Sequence, residues 1–266
     1  MWLACWTCWL NMTEDDTKLA AQDGDMEFIR PEWPAPKHVQ AVVTTRKGGC
    51  SVAPYDSLNL ATHVGDLRHR VLSNRQSLCQ SLDLARGPPW LNQVHGTSVI
   101  NADEKGEANA DAVYSDRKNQ PCAVLVADCL PIFLCDRRGL QVAVLHAGWR
   151  GLAAGIIGAT VTRFLPRDDL IAWLGPAIGP CHYEVGIEVK DAFGSEVDCF
   201  APIDKPDRWL FDLYGVARKH LAISGVRGVH GGGLCTYCQR ERFFSYRRDG
   251  DTGRIAAVIW REGDFT

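Results

Sequence analysis

The sequence predicts one α/β or α+β domain, and three observations carry this. The chain has 266 residues, enough to bury a large core. Apolar runs of strand length are intermixed with helical patterns from end to end. No low-complexity linker, internal repeat or clean break in composition divides them. The domain is expected over residues 26–266.

Residues 1–25 stand apart. Trp2, Trp6 and Trp9 with Cys5 and Cys8 form an apolar decamer without a basic start or a small-residue cleavage site. It does not read as a secretory signal. The acidic stretch Glu14–Asp25 has a disordered composition. These residues are read as a disordered or non-native extension.

From Val39 the β-branched run VQAVVTT predicts a strand. The basic turn Arg46-Lys47-Gly48-Gly49 follows, where N–H groups and cations can hold an anion or simply face water. Asp66 is placed as the N-cap of a helix whose apolar face carries Val71, Leu78, Leu82 and Leu84. Asn74 and Arg75 lie within that helix. Gly87-Pro88-Pro89 ends it, and Leu91–Val94 and Ser98–Ile100 read as strands around His95-Gly96. Ala110-Asp111-Ala112-Val113 opens the next strand. Ala123–Ala127 and Gln141–Leu145 are buried strands, and a small-residue helix follows Gly148-Trp149-Arg150-Gly151. Ile171–Leu174 is a further strand, and residues 175–180 are a rigid loop lining a cleft. Val185–Phe193 and Leu213–Ile223 are helical, the second capped by Asp212. Gly231-Gly232-Gly233 is a bend before Cys235 and Cys238, and Arg254–Trp260 is a C-terminal strand.

Chemistry-bearing residues stand at the strand ends. Cys129 follows the Ala123–Ala127 strand, His146 follows Gln141–Leu145, and His95 follows Leu91–Val94. Strand ends that open into a glycine turn expose side chains and N–H groups together. Two imidazoles and a thiolate are the ligand set of a zinc site with one open position. The same residues also suit the nucleophilic Cys–His pair of a hydrolase. A multicopper oxidase needs more histidines than the 8 present, none of which form an HxH pair. A scaffold protein is disfavoured, because an open ligand set is costly to hold without use.

Composition narrows the setting. A net charge of −3 gives no general attraction to nucleic acid or anionic membranes. Eleven scattered cysteines in a chain this long imply reduced thiols and a cytoplasmic location rather than a disulfide framework. No apolar run approaches the roughly 18 residues of a membrane span.

The motifs NQVHG, ADCLPI, HAGWRG, GPAIGPCHYEVG, CTY and FFSYRRDGDTGRIAAVIW occur in this order. With TTRKGGCS, SLNL, HVGD and NRQSL, they resemble the laccase-domain or polyphenol-oxidase-like family, also called YfiH-like, from about Met26 to Trp260. The resemblance implies a single compact α/β domain with mixed sheets flanked by helices. It also implies a zinc site on His95, Cys129 and His146, and purine nucleoside chemistry. Family members are described as phosphorylases of adenosine, inosine, guanosine and methylthioadenosine that also deaminate adenosine. Older descriptions give a copper-dependent polyphenol oxidase, and some bacterial members are linked to peptidoglycan editing. The expected partners are therefore purine nucleosides and phosphate, for a monomer or weak homo-oligomer. Copper can occupy such a site in vitro by the Irving–Williams order.

The implied reactions assign further roles. Phosphorolysis needs a bidentate cation for phosphate. The family's NR motif falls on Asn74-Arg75, which puts Arg75 first, ahead of Arg46 and Arg150. Deamination needs a group to move a proton, and Asp128 beside Cys129 can do this or can orient a ligand. The zinc deaminase signature, with its Glu beside His and a paired PCxxC, is absent. Cys238 departs from the family pattern, which carries only the cysteine matching Cys235.

Overall fold

A computed structural model describes residues 26–104, 108–166, 169–194 and 196–263. The predicted N-terminal extension lies outside them. In chain order the elements are β1 (Phe28–Ile29), β2 (Val39–Thr44), α1 (Arg68–Ser81), β3 (Val99–Asn101), β4 (Ala112–Ser115) and β5 (Cys122–Val126). Next come β6 (Leu130–Asp136), β7 (Val142–Ala147), α2 (Trp149–Ala154), α3 (Ile156–Val161), β8 (Leu170–Leu174) and β9 (Glu184–Val185). The chain continues through α4 (Ile187–Phe193), β10 (Phe200–Pro202), β11 (Trp209–Phe211), α5 (Leu213–Ile223), β12 (Gly228–Gly231), α6 (Tyr246–Asp249) and β13 (Ile255–Arg261).

Three sheets form among the described residues, with strand orders β1-β2-β13-β5, β12-β8-β6-β7-β4-β3 and β10-β11-β9. Most pairs are antiparallel, while β3–β4 and β8–β12 are parallel, so the sheets are mixed as expected. The period-2 alternation of the strands builds four layers. Ala123 and Leu125 of β5 pack with Leu58, Leu60 and Leu78, placing α1 on the outer face of the four-stranded sheet. Val124 and Val126 face inward and join Phe133, Val144 and Trp173 between the two large sheets. Leu130, Ile132 and Leu134 of β6 face the other way, onto Leu152, Ile157 and Leu221 from the helices. Burial on both faces explains why these strands read as continuous apolar runs.

Several elements differ from the sequence reading. β6 was not anticipated, yet it pairs with both β7 and β8 at the centre of the six-stranded sheet. Leu91–Val94 is a loop with a single bridge, Asn92 to Asn109. The helix expected from Val185 starts at Ile187, because Glu184 and Val185 pair with β11. Asp66 does not cap α1, whose N-cap is Leu67 without a side-chain bond. The Asp66 carboxylate instead accepts from Ser51 Oγ at 2.6 Å and Asn59 Nδ2 at 2.9 Å, tying the preceding loop together. Asp212 does cap α5, accepting from the Gly215 N–H at 2.9 Å. Among the described residues, no helix is long and apolar enough to cross a membrane.

Candidate metal centre

The chain passes from the four-stranded sheet to the six-stranded one between β5 and β6, through Ala127-Asp128-Cys129. His146 lies on β7, where alternation puts it on the same side as Val142 and Val144, toward the partner sheet. His95 comes from the loop before β3. The donor atoms of His95, Cys129 and His146 lie within 4.8 Å of one another. The two imidazole rings are 4.7 Å apart, tilted at 46°. The structure thus brings the three sequence-predicted ligands together.

Asp111 was missed as a site residue, and it organises this cluster. Its carboxylate accepts from the backbone N–H groups of Val94 (3.3 Å), His95 (2.9 Å) and Gly96 (2.7 Å). It also accepts from His146 Nδ1 at 2.8 Å, which leaves Nε2 as the ring nitrogen that could hold a metal. Burial alone would raise the Asp111 pKa, but His146 and the loop N–H groups outweigh it and hold it below the ordinary value. The signal was a carboxylate opening an otherwise apolar strand, which demands buried donors.

The thiol and imidazole charge each other. Burial opposes ionisation of Cys129, yet His146 and His95 prevail and lower its pKa to about 6. Burial likewise disfavours the His146 imidazolium, but Cys129 and Asp111 raise it to about 9. A thiolate beside imidazoles is the form that binds a cation. Gly148 makes room for it. A Cβ at that position would stand 2.9 Å from His95 Nδ1 and 3.0 Å from Cys129 Sγ. The donor set and this cleared space fit a metal ion. His95 and Asp128 both adopt positive φ (59° and 91°), a conformation that costs a non-glycine residue about 1–3 kcal/mol.

Asp128 has both carboxylate oxygens engaged, by Thr236 Oγ1 at 2.7 Å and by the Arg247 N–H at 2.6 Å. Arg75 donates its Nε–H to Leu60 O at 2.8 Å and stacks 4.2 Å over Trp90. Burial and then Arg68 lower its pKa to about 10, which leaves it cationic at neutral pH. His63 and Arg254, also missed as site residues, share this neighbourhood. Burial lowers the His63 pKa, and the charges of Arg254 and Arg75 lower it further. Arg254 in turn feels the charges of Cys129 and Asp128. Arg46 is committed elsewhere, bonded to Asp56 O at 2.8 Å, paired with the Asp56 carboxylate at 3.2 Å and stacked over Phe244. Arg150 lies 4.4 Å over Trp149.

A second His/Cys group lies in the loops beyond Asp128. The donor atoms of Cys181, His182 and Cys238 are also within 4.8 Å of one another. His182 and Tyr237 stack at 4.1 Å and line a cavity of about 420 Å³ with Glu184, Arg208 and Arg247.

Comparison with known proteins adds relatives to this geometry. Residues 40–262 match the family described as multi-copper polyphenol oxidoreductase laccase. The chain is 49% identical over 238 residues to a purine nucleoside phosphorylase of Pseudomonas aeruginosa, covering 88% of this chain and 98% of that one. It is 48% identical over 240 residues to the purine nucleoside phosphorylase YfiH of Escherichia coli, with the same coverage of 88% and 98%. A crystal structure of a Neisseria meningitidis protein superposes with a TM-score of 0.85 at 46% identity, covering 89% of this chain and 99% of that one.

Proposed function

The chain belongs to the multi-copper polyphenol oxidoreductase laccase family, and from that premise we propose that it is a zinc-dependent purine nucleoside phosphorylase. Its reaction converts adenosine, inosine, guanosine or methylthioadenosine, with phosphate, to the free base and the sugar 1-phosphate. Adenosine deamination is proposed as a second activity of the same centre. The observation that carries the reading is the convergence of His95, Cys129 and His146 in a chain about half identical to proteins named purine nucleoside phosphorylase.

His95, Cys129 and His146 would hold the ion. Bound zinc supplies a Lewis acid at neutral pH, able to polarise a purine ring or a water molecule. Asp111 fixes the tautomer and tilt of His146 through its Nδ1 and holds the His95 loop by three N–H groups. Asp128, with both oxygens engaged, positions Cys129 and suits that task better than proton transfer. Arg75 binds phosphate. Its Nε–H is spent on Leu60, and its terminal nitrogens carry no hydrogen bond among the described residues, so the outer edge of the fork is available for bidentate contact. Arg254 adds positive charge beside it, and the two guanidinium charges help to keep His63 neutral, a clustering that an anion would relieve. Arg254 takes the supporting role expected of Arg46, whose guanidinium is occupied by Asp56.

The test is zinc-loaded protein incubated with adenosine, inosine and methylthioadenosine, with and without phosphate, the products resolved by chromatography. Phosphate-dependent release of free base and sugar 1-phosphate is expected. Base release that ignores phosphate, or none from any nucleoside, would overturn the reading. Copper-loaded protein assayed on a phenol tests the oxidase chemistry in the family's description.

A further inference from the structure

Cys181, His182, Cys235 and Cys238 take no part in the chemistry above. Two loops bring them together. Ala177 and Cys235 form a parallel bridge, with Thr236 N–H donating to Ala177 O at 3.0 Å. This sets the turn carrying Cys235 and Cys238 against the loop carrying Cys181 and His182.

We infer that these four residues form a second metal site, of the closed Cys₃His type, that takes a zinc-class divalent cation. Four donors of this kind around a tetrahedral ion lie roughly 3.5–3.8 Å apart, from Zn–S near 2.3 Å and Zn–N near 2.0 Å. Here His182 Nδ1 stands 3.0 Å from Cys181 Sγ and 3.4 Å from Cys238 Sγ. The buried Cys235 thiol interacts with both Cys181 and Cys238. Cys181, His182 and Cys238 therefore need only small shifts, while Cys235, whose sulfur lies outside their 4.8 Å group, must draw in further to complete the set. Cys235 and Cys238 have the C-x₂-C spacing of a zinc knuckle on a turn. The Gly179 N–H donates to Cys235 Sγ at 3.2 Å, the outer hydrogen bond that steadies a ligating thiolate. Gly179 lets the backbone come this close, since a Cβ there would crowd the sulfur at 3.1 Å. A disulfide would use two of these sulfurs and leave the His182 Nδ1, which faces both Cys181 and Cys238, outside the pairing.

Such an ion would pin two loops that both hold Asp128. Ile178 N–H donates to Asp128 O at 2.9 Å from one side, and Thr236 Oγ1 to its carboxylate from the other. The second site is a brace on the segment that presents Cys129.

The experiment counts metal on the full chain after zinc loading and gel filtration, by mass spectrometry. About two zinc ions per chain are expected in the parent, and about one in Cys129→Ala and in Cys238→Ser. Loaded with cobalt(II), Cys129→Ala keeps the three-thiolate site and Cys238→Ser the one-thiolate site. The thiolate-to-cobalt absorbance should then be about threefold stronger in Cys129→Ala. Should Cys238→Ser fail to fold, the Cys129→Ala chain still decides. A Cys129→Ala chain that retains no zinc overturns the proposal, as does a Cys235–Cys238 disulfide in the zinc-loaded protein. Neither result bears on nucleoside turnover, because the assay reads metal alone.

Discussion

The two His/Cys clusters are built from similar donors by different means. The first draws its residues from a sheet-to-sheet passage, a strand and a loop, and rests on a carboxylate that accepts four N–H groups. It brings together three donors, which on the proposed function would leave one position of a tetrahedral ion open for substrate. The second sits where two loops meet, offers four donors, and leans on the backbone N–H groups of Gly179 and Cys238. The contrast is that of an open site held stiffly by its surroundings and a closed site that would hold its surroundings. Coordination number and supporting bonds, more than donor type, separate chemistry from bracing.

The sharpest break of this comparison is Cys129→Ala. Losing a Lewis acid worth several kcal/mol should lower phosphorolysis and deamination by ~10³-fold or more. The second cluster should keep its zinc. A variant that phosphorolyses inosine at the parent rate would remove the metal from that step. Next is Asp111→Asn, which places an NH₂ among N–H donors. Zinc affinity at the first cluster should fall by about 10- to 100-fold in a chelator competition. No change would mean that the carboxylate is not what stiffens the site.

Arg75→Ala should leave zinc at both clusters and raise the phosphate KM by about 10- to 100-fold, the value of hydrogen bonds to a charged partner at about 1.5–3 kcal/mol. Deamination should suffer much less, and Arg75→Lys should rescue only in part. Equal losses in both reactions would move Arg75 to nucleoside binding or folding, which a thermal melt separates. The smallest effect is expected from Gly148→Ala. Gly148 has φ −73°, so alanine meets no backbone strain there. Its Cβ crowds His95 and Cys129 directly, and overpacking of this kind costs about 1–3 kcal/mol. Weaker zinc binding at the first cluster alone is the expected reading; parent-like affinity would show that the ligands yield freely.

The three ligands were legible because each ends a segment of strong or short apolar pattern, where the chain must turn. Asp111 was not, because its partners at Val94, His95 and Gly96 are distant in sequence and donate from the backbone, which leaves no pattern. β6 escaped notice since Pro131 interrupts a short run that tertiary pairing on both sides makes a strand. Asp66 looked like a cap by position, but Ser51 and Asn59 claim its oxygens. Cys238 was visible only as a departure from the family pattern; its partners Cys181 and His182 lie far back in the chain. The layered core was readable in outline from its apolar runs, whereas the pairing of β9, β10 and β11, each two or three residues long, was too short to show a period.

The first cluster takes its donors from three stretches that meet only once the two large sheets have docked. An unfolded chain presents them far apart, so an ion held by them would bind the native state and hardly the unfolded one. Mass action then adds stability, about 4 kcal/mol when free metal stands at 1,000 times its Kd. That is a large share of a typical domain's margin against unfolding. Chains made under metal starvation would be recognised and degraded sooner, so the supply of the ion would set the abundance of this protein as well as its activity.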